Sequence, residues 1–341
     1  MRIQLDVVVW RGSVAEARHR VQAAVTDARG TVIAASGAPE LHTTFRSAAK
    51  PFQLLPLVER GHAASWGFDD EQLAVMAASH TGSAYHLRVV RSILDRIGLS
   101  HVHLACGYHD PLDPESLAHL ATHPEERTAL YNNCSGKHAG MLALALSERW
   151  PVAGYESAEH PLQQLMRATV AERCGLQPEQ LSVGIDGCSV SVFGAPLAAM
   201  ARSYARFAAA RPGGEPREAA MSRIREAMIA HPVATGGDAR FSTVLMQATQ
   251  GRLVAKGGAE GLECVGVPER GLGLAVKCED GAARAVAPAV IALLEHLDLL
   301  DAPARSGLGS WRTPALKNVV GLEVGHLEPE LAILQPAAGP A

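Results

Sequence analysis

Aromatic side chains are scarce in this chain. Phe, Trp and Tyr make up 4% of 341 residues although 48% are hydrophobic, so a core of this size must be packed mainly with aliphatic groups. Charge of one sign is lacking too: 31 Lys and Arg stand against 35 Asp and Glu, a net charge of -4, with no cluster of five or more basic residues. Such a balance disfavours nucleic acid and anionic membrane surfaces as partners. No long uncharged apolar run is present, which argues against a membrane span. The opening residues 1–6 lack the basic stretch and apolar run of an export signal, so a cytoplasmic location is expected. Paired cysteine motifs are missing as well. Cys106, Cys134, Cys174, Cys188, Cys264 and Cys278 are spread without C-x-x-C spacing, which excludes a dense disulfide framework and leaves apolar filler, metal ligand or catalytic group as their roles.

What is present is organised by hydrophobic period. Runs at 7–10 and 21–25, then 31–35 after the turn at 27–30, predict an antiparallel meander. Apolar residues at helical spacing predict helices over 47–60, 71–79, 84–97, 137–149, 159–174, 196–210, 216–230 and 282–300. A second β-rich group follows at 252–256, 262–267 and 271–277. Strands at both ends with helices between predict an α+β fold, its antiparallel sheet built from both chain ends and packed with helices. We expect one catalytic domain over 1–334 with a helical lobe inserted, a mobile loop at 211–216 and a disordered tail at 335–341.

Three clusters carry chemistry. Ser47-Ala48-Ala49-Lys50 places a hydroxyl and an ammonium three residues apart at a helix start, the arrangement of a nucleophile with its base. Pro51 suits an early helical turn but disfavours helical backbone at Lys50. The tetrad alone is a weak signal, because a Ser near a helix start with a solvated Lys is common. Ser79-His80-Thr81-Gly82-Ser83 follows an apolar helix, and Lys256-Gly257-Gly258 closes an apolar strand. Taken in order, the three parts resemble the constellation of penicillin-recognising serine enzymes. The last cluster joins Asn132-Asn133-Cys134-Ser135-Gly136-Lys137-His138 to Gly184-Ile185-Asp186-Gly187-Cys188-Ser189. Two cysteines in Gly- and Asn-rich loops suit a soft metal such as zinc, with His138 the expected third ligand on chemical grounds.

Five blocks together resemble the asparaginase II family of Rhizobium etli type: residues 44–53, 78–82, 132–141, 184–188 and 255–261. The resemblance implies a fold like that of the serine β-lactamase and glutaminase group, homodimers, and L-asparagine as substrate. It implies two Ser/Lys tandems, Ser47 with Lys50 and Ser79 with Lys256. It also implies a zinc site held by Cys134, Lys137 and Cys188, although lysine is a rare ligand because its amine must first lose a proton. Within the same blocks Arg46, His80, Asn133 and Asp186 stand as substrate-binding candidates, Arg46 and Asp186 having the charges to hold an amino acid's carboxylate and ammonium. Glutaminase, a penicillin-recognising hydrolase and a non-enzymatic zinc protein are the alternatives. The sequence ranks neither serine above the other as nucleophile.

Overall fold

Five consecutive buried residues, Leu5 to Val9, make the first strand a core strand rather than an alternating surface one. In the computed structural model, which describes residues 1–334, that strand is β1 (Arg2–Arg11), followed by β2 (Val14–Asp27), β3 (Val32–Ser36) and β4 (His42–Thr44). Both of the first two are longer than their apolar runs predict, because the β1–β2 hairpin extends beyond the core to a turn at Gly12, where φ is 57°. A short hairpin, β5 (Ser182–Ile185) with β6 (Ser191–Pro196), comes next. The late strands are β7 (Val254–Gly258), β8 (Leu262–Val267), β9 (Leu272–Cys278), β10 (Ala315–Lys317) and β11 (Glu323–Ile333).

By internal contacts the chain divides into two units. The first unit comprises residues 1–43, 196–209 and 244–341, of which those up to 334 are described. Among the described residues it holds an eight-stranded sheet in the order β10-β11-β1-β3-β2-β9-β8-β7. Pairing is antiparallel throughout except for the contact of Arg2 and Ile3 with Ala35 and Ser36. The protein is thus α+β, with a mostly antiparallel sheet drawn from both chain ends, as the sequence predicts. Helix Leu197–Ala209 packs on β2, β8 and β9, and helix Val286–His296 on β1, β9 and β11. Gly273 in β9 makes the first contact possible: a Cβ there would lie 2.0 Å from the Ala201 carbonyl oxygen. The expected helix 282–300 is shorter at both ends, and helix Ala302–Arg312 with β10 and β11 extends the fold beyond the predicted elements.

The second unit comprises residues 44–195 and 210–243 and is mostly helical. Helix Asp70–Met76 starts at a capping box formed by Asp69 and Gln72, and ends three residues before the expected 79. Helix Ser135–Ser147 packs against it at Gly136, where a Cβ would sit 2.3 Å from the Val75 carbonyl oxygen, and at Gly140 beside Met76. The expected helix 47–60 divides into a 3-10 turn, Arg46–Ala49, and a helix, Lys50–Glu59. The predicted disordered tail at 335–341 lies outside the described residues. No helix among the described residues is long and apolar enough to cross a membrane.

Candidate active site

The Gly136 contact fixes one edge of a site within the second unit. It carries the segment Asn132–His138 alongside the chain that leaves helix Asp70–Met76, and that exit segment is held at several of its backbone groups. The Ala78 carbonyl accepts from Lys50 Nζ at 2.6 Å, Ser79 N–H donates to the Thr235 carbonyl at 3.2 Å, and His80 N–H donates to the Asn133 carbonyl at 3.2 Å. Further on, the Thr81 carbonyl accepts from both Leu112 and Asp113. A loop pinned in this way presents its side chains in one geometry.

Lys50 is 1% exposed, and its ammonium also reaches Ser79 Oγ at 2.8 Å. The expected partner, Ser47, is half-buried in the 3-10 turn, and among the described residues its hydroxyl makes no hydrogen bond with Lys50. The reason is direction: Lys50 opens the following helix, and its side chain runs to the Ala78–Ser79 segment. Burial pushes the Lys50 ammonium below the usual lysine range and the charge of Lys137 adds to this, against the attraction of Cys134 and Cys188. Ser47 follows Arg46, a non-glycine residue at φ 45°, so the backbone entering the turn is in a region L-residues rarely adopt.

Cys134, Lys137 and Cys188 meet beside this pair. Lys137 Nζ donates to Cys188 Sγ at 2.9 Å, and all three residues are at most 5% exposed. A hydrogen bond from Cys188 depresses the Cys134 thiol well below its usual range despite burial, with Lys50 and Lys137 contributing. The same bond and burial push Cys188 up, so the two sulfurs share one proton as a thiolate and a thiol. For Lys137 burial acts downward, but the attraction of Cys134 and Cys188 outweighs it and holds the ammonium above its usual value. Two sulfurs and an amine therefore converge, which is a donor set that fits a zinc-class ion once the amine is deprotonated. His138 takes another direction. It is fully buried and shares a 2.6 Å hydrogen bond through Nδ1 with the Tyr155 hydroxyl. Among the described residues, the only three His, Cys, Asp or Glu ligand atoms lying within 4.8 Å of one another belong to His19, Cys278 and Asp280, in the first unit. His138 meets the Cys188 backbone but its ligand atom is not grouped with the two thiols, where chemical grounds place it as the third ligand.

The four substrate-binding candidates fall into two kinds. Arg46 Nε donates to Asp186 Oδ1 at 2.9 Å, and both side chains keep some exposure, 28% and 11%. Burial would raise the Asp186 carboxyl, but Lys137, Arg46 and the Gly187 N–H together hold it below its ordinary value. Asn133 is half-buried with its amide 3.2 Å from Cys134 Sγ. His80, in contrast, is 0% exposed with both ring nitrogens bonded internally. Nε2 lies 2.8 Å from Ser135 Oγ, and Nδ1 accepts from Gly82 N–H at 3.1 Å. Because Ser135 Oγ donates to the Leu130 carbonyl, the His80 proton sits on Nε2. This placement suits holding Ser79 in position rather than touching a substrate. Lys256 lies in the first unit on β7, 3% exposed, donating to the Gly257 carbonyl at 3.0 Å. Thr235, Ser135 and Tyr155 were not singled out from the sequence; their roles arise from distant segments and leave no local signal.

The match along the chain now assigns the class. The L-asparaginase II family matches residues 7–329, and the chain belongs to it. Among solved structures, Mglu in its tris and glutamate form aligns over 85% of this chain and 62% of its own length, at 16% identity and a TM-score of 0.48. Mglu in its native form in the presence of 4.3 M NaCl aligns over 85% and 65%, at 15% identity and a TM-score of 0.46. The chain therefore spans less than two thirds of either structure, and its family membership rests on the sequence match. No curated protein matches it significantly.

Proposed function

We propose that this protein is an amidohydrolase that converts L-asparagine and water to L-aspartate and ammonia, with Ser79 as nucleophile and Lys50 as its base. The observation that carries this reading is the 2.8 Å contact between Lys50 Nζ and Ser79 Oγ, buried inside a family-matched segment. A neutral Lys50 takes the hydroxyl proton as Ser79 Oγ attacks the side-chain amide carbon. The proton then passes to the leaving nitrogen, ammonia departs, and water cleaves the β-aspartyl ester. Ser79 N–H already donates to Thr235, so other N–H groups must meet the oxyanion. Arg46 and Asp186 side by side offer opposite charges to the substrate's carboxylate and ammonium.

Cys134, Lys137 and Cys188 are the residues that would hold zinc. When bound, the ion would supply a fixed positive charge for positioning a polar substrate group. Glutamine differs from asparagine by one methylene, so the deciding experiment is ammonia release from both amino acids by the purified protein. Faster release from asparagine, abolished in Ser79→Ala, supports the reading; turnover unaffected by Ser79→Ala and lost in Ser47→Ala transfers the nucleophile to Ser47. Gel filtration with light scattering tests the expected homodimer.

A further inference from the structure

At the end of β9, three ligating atoms converge that the reaction above does not use. Cys278 pairs with Val21 of β2, and His19 stands two residues before Val21 on the same face of that strand. The chain then turns: Gly281 N–H donates to the Cys278 carbonyl at 3.1 Å with Gly281 at φ 77°, and Ala282 N–H donates to Asp280 Oδ1 at 3.0 Å. The turn brings Asp280 back over its own strand. His19 Nδ1 lies 2.6 Å from Asp280 Oδ2, and Cys278 Sγ lies 3.1 Å from Asp280 Oδ1. One ligand atom from each residue lies within 4.8 Å of the other two.

We infer that His19, Cys278 and Asp280 form a binding site for a soft divalent cation of the zinc class, separate from the Cys134–Cys188 pair. Four-coordinate zinc with bonds of about 2.0 Å to nitrogen and oxygen and about 2.3 Å to sulfur needs ligand atoms roughly 3.3–3.5 Å apart. The two contacts to the Asp280 carboxylate, 2.6 Å from His19 and 3.1 Å from Cys278, each differ from these spacings by less than 1 Å. Imidazole, thiolate and carboxylate together neutralise a divalent charge, and the sulfur selects zinc, cobalt or cadmium over magnesium or calcium. A thiol is a weak donor, so Cys278 is a poor choice if its task is only to satisfy a carboxylate. His19 and Cys278 are buried while the Asp280 side chain is 51% exposed, which leaves a fourth position open to water.

Two cations border the group. Lys277 directs its ammonium to the carbonyls of Glu260 and Cys278. Arg284 Nε donates to His19 Nε2 at 3.0 Å, so it holds the tautomer whose proton lies on Nδ1. Metal binding at Nδ1 reverses that tautomer, and the exposed Arg284 must swing away. Arg284 is therefore a competitor of the ion.

The test is cobalt(II) titration of a Cys134→Ser/Cys188→Ser protein, followed by thiolate-to-cobalt absorbance. About one cobalt per chain with a single-thiolate band is expected. Cys278→Ser should abolish the band, His19→Gln and Asp280→Asn should each weaken binding by about 10-fold or more, and Arg284→Gln should tighten it. Circular dichroism establishes folding, and if the double variant does not fold, wild type against Cys278→Ser gives the same answer through loss of one cobalt per chain. Absence of the band, or its persistence in Cys278→Ser, overturns the inference.

Discussion

The protein holds two buried thiol clusters with opposite electrostatics. In the helical unit, Cys134 lies among Cys188, Lys50 and Lys137, and ionises easily. In the sheet unit, burial and then the Asp280 carboxylate push the Cys278 thiol up to about 12. Burial is similar, at 5% and 1% exposure, so the neighbours decide. A second thiol and two ammoniums produce a thiolate, whereas a carboxylate keeps the proton on sulfur. Cysteine count and burial alone therefore say little about thiol chemistry.

The largest expected effect that sharpens this contrast is catalytic. On the proposed mechanism, Lys50→Met and Ser79→Ala should each lower kcat by roughly 10²–10⁴-fold while the fold persists, because base and nucleophile act as a unit. Steady-state ammonia release measures this, and Arg284→Gln in the other cluster should leave it unchanged. With Lys50 as base, kcat/KM should rise with pH through a limb below the ordinary lysine range, since burial favours the free amine. A flat profile would assign the proton to another group.

Next in size is the metal. Cys134→Ser and Cys188→Ser should each lower zinc affinity by about 10-fold or more, with KM rising more than kcat falls, as elemental analysis and kinetics would show. Metal-free protein at neutral pH should also show ultraviolet thiolate absorbance that vanishes in Cys134→Ser and survives in Cys278→Ser. Equal loss in both variants would break the comparison.

The smallest effect lies away from both clusters. Glu148 accepts from Arg60 and bonds His62, each at 2.8 Å, and the Arg60 bond holds its carboxyl below the ordinary range. A depressed folded value stabilises the protein above the unfolded pKa, and this is lost as pH falls through the folded one. Glu148→Gln should thus cost a few tenths to about 1 kcal/mol near neutral pH, shrinking toward acid, in urea melts at several pH values.

Much of this was legible in the sequence because the chemistry sits in compact blocks. Residues 78–82 and 132–138 carry Ser79, Cys134 and Lys137 together, and glycines 136 and 140 mark the helix face that brings the blocks into contact. What was hidden depends on direction rather than spacing. Lys50 lies three residues from Ser47, yet the start of a new helix turns it to Ser79. Nothing in the sequence around His80 signals that Ser135 and Gly82 occupy both its ring nitrogens. The hairpin β5–β6 and strand β11 were missed for another reason: β5 is exposed along its length, β11 mixes exposed, half-buried and buried residues with Pro329 inside it, and neither shows a clean apolar period. His19 and Cys278 are 259 positions apart, and only strand pairing reveals them as neighbours.

The contact at Gly136 has an engineering consequence. With the Val75 carbonyl where a side chain would begin, the two helices have no slack at that point, and the reacting groups inherit the tolerance of the core rather than that of a surface loop. A single added methyl group there would act as a spacer, moving the Cys134–Lys137 segment away from Ser79 without altering one functional group. Inactive but folded variants of this protein should accordingly turn up at that interface in a random library, and they would be misread as chemical defects when what they record is a change of length.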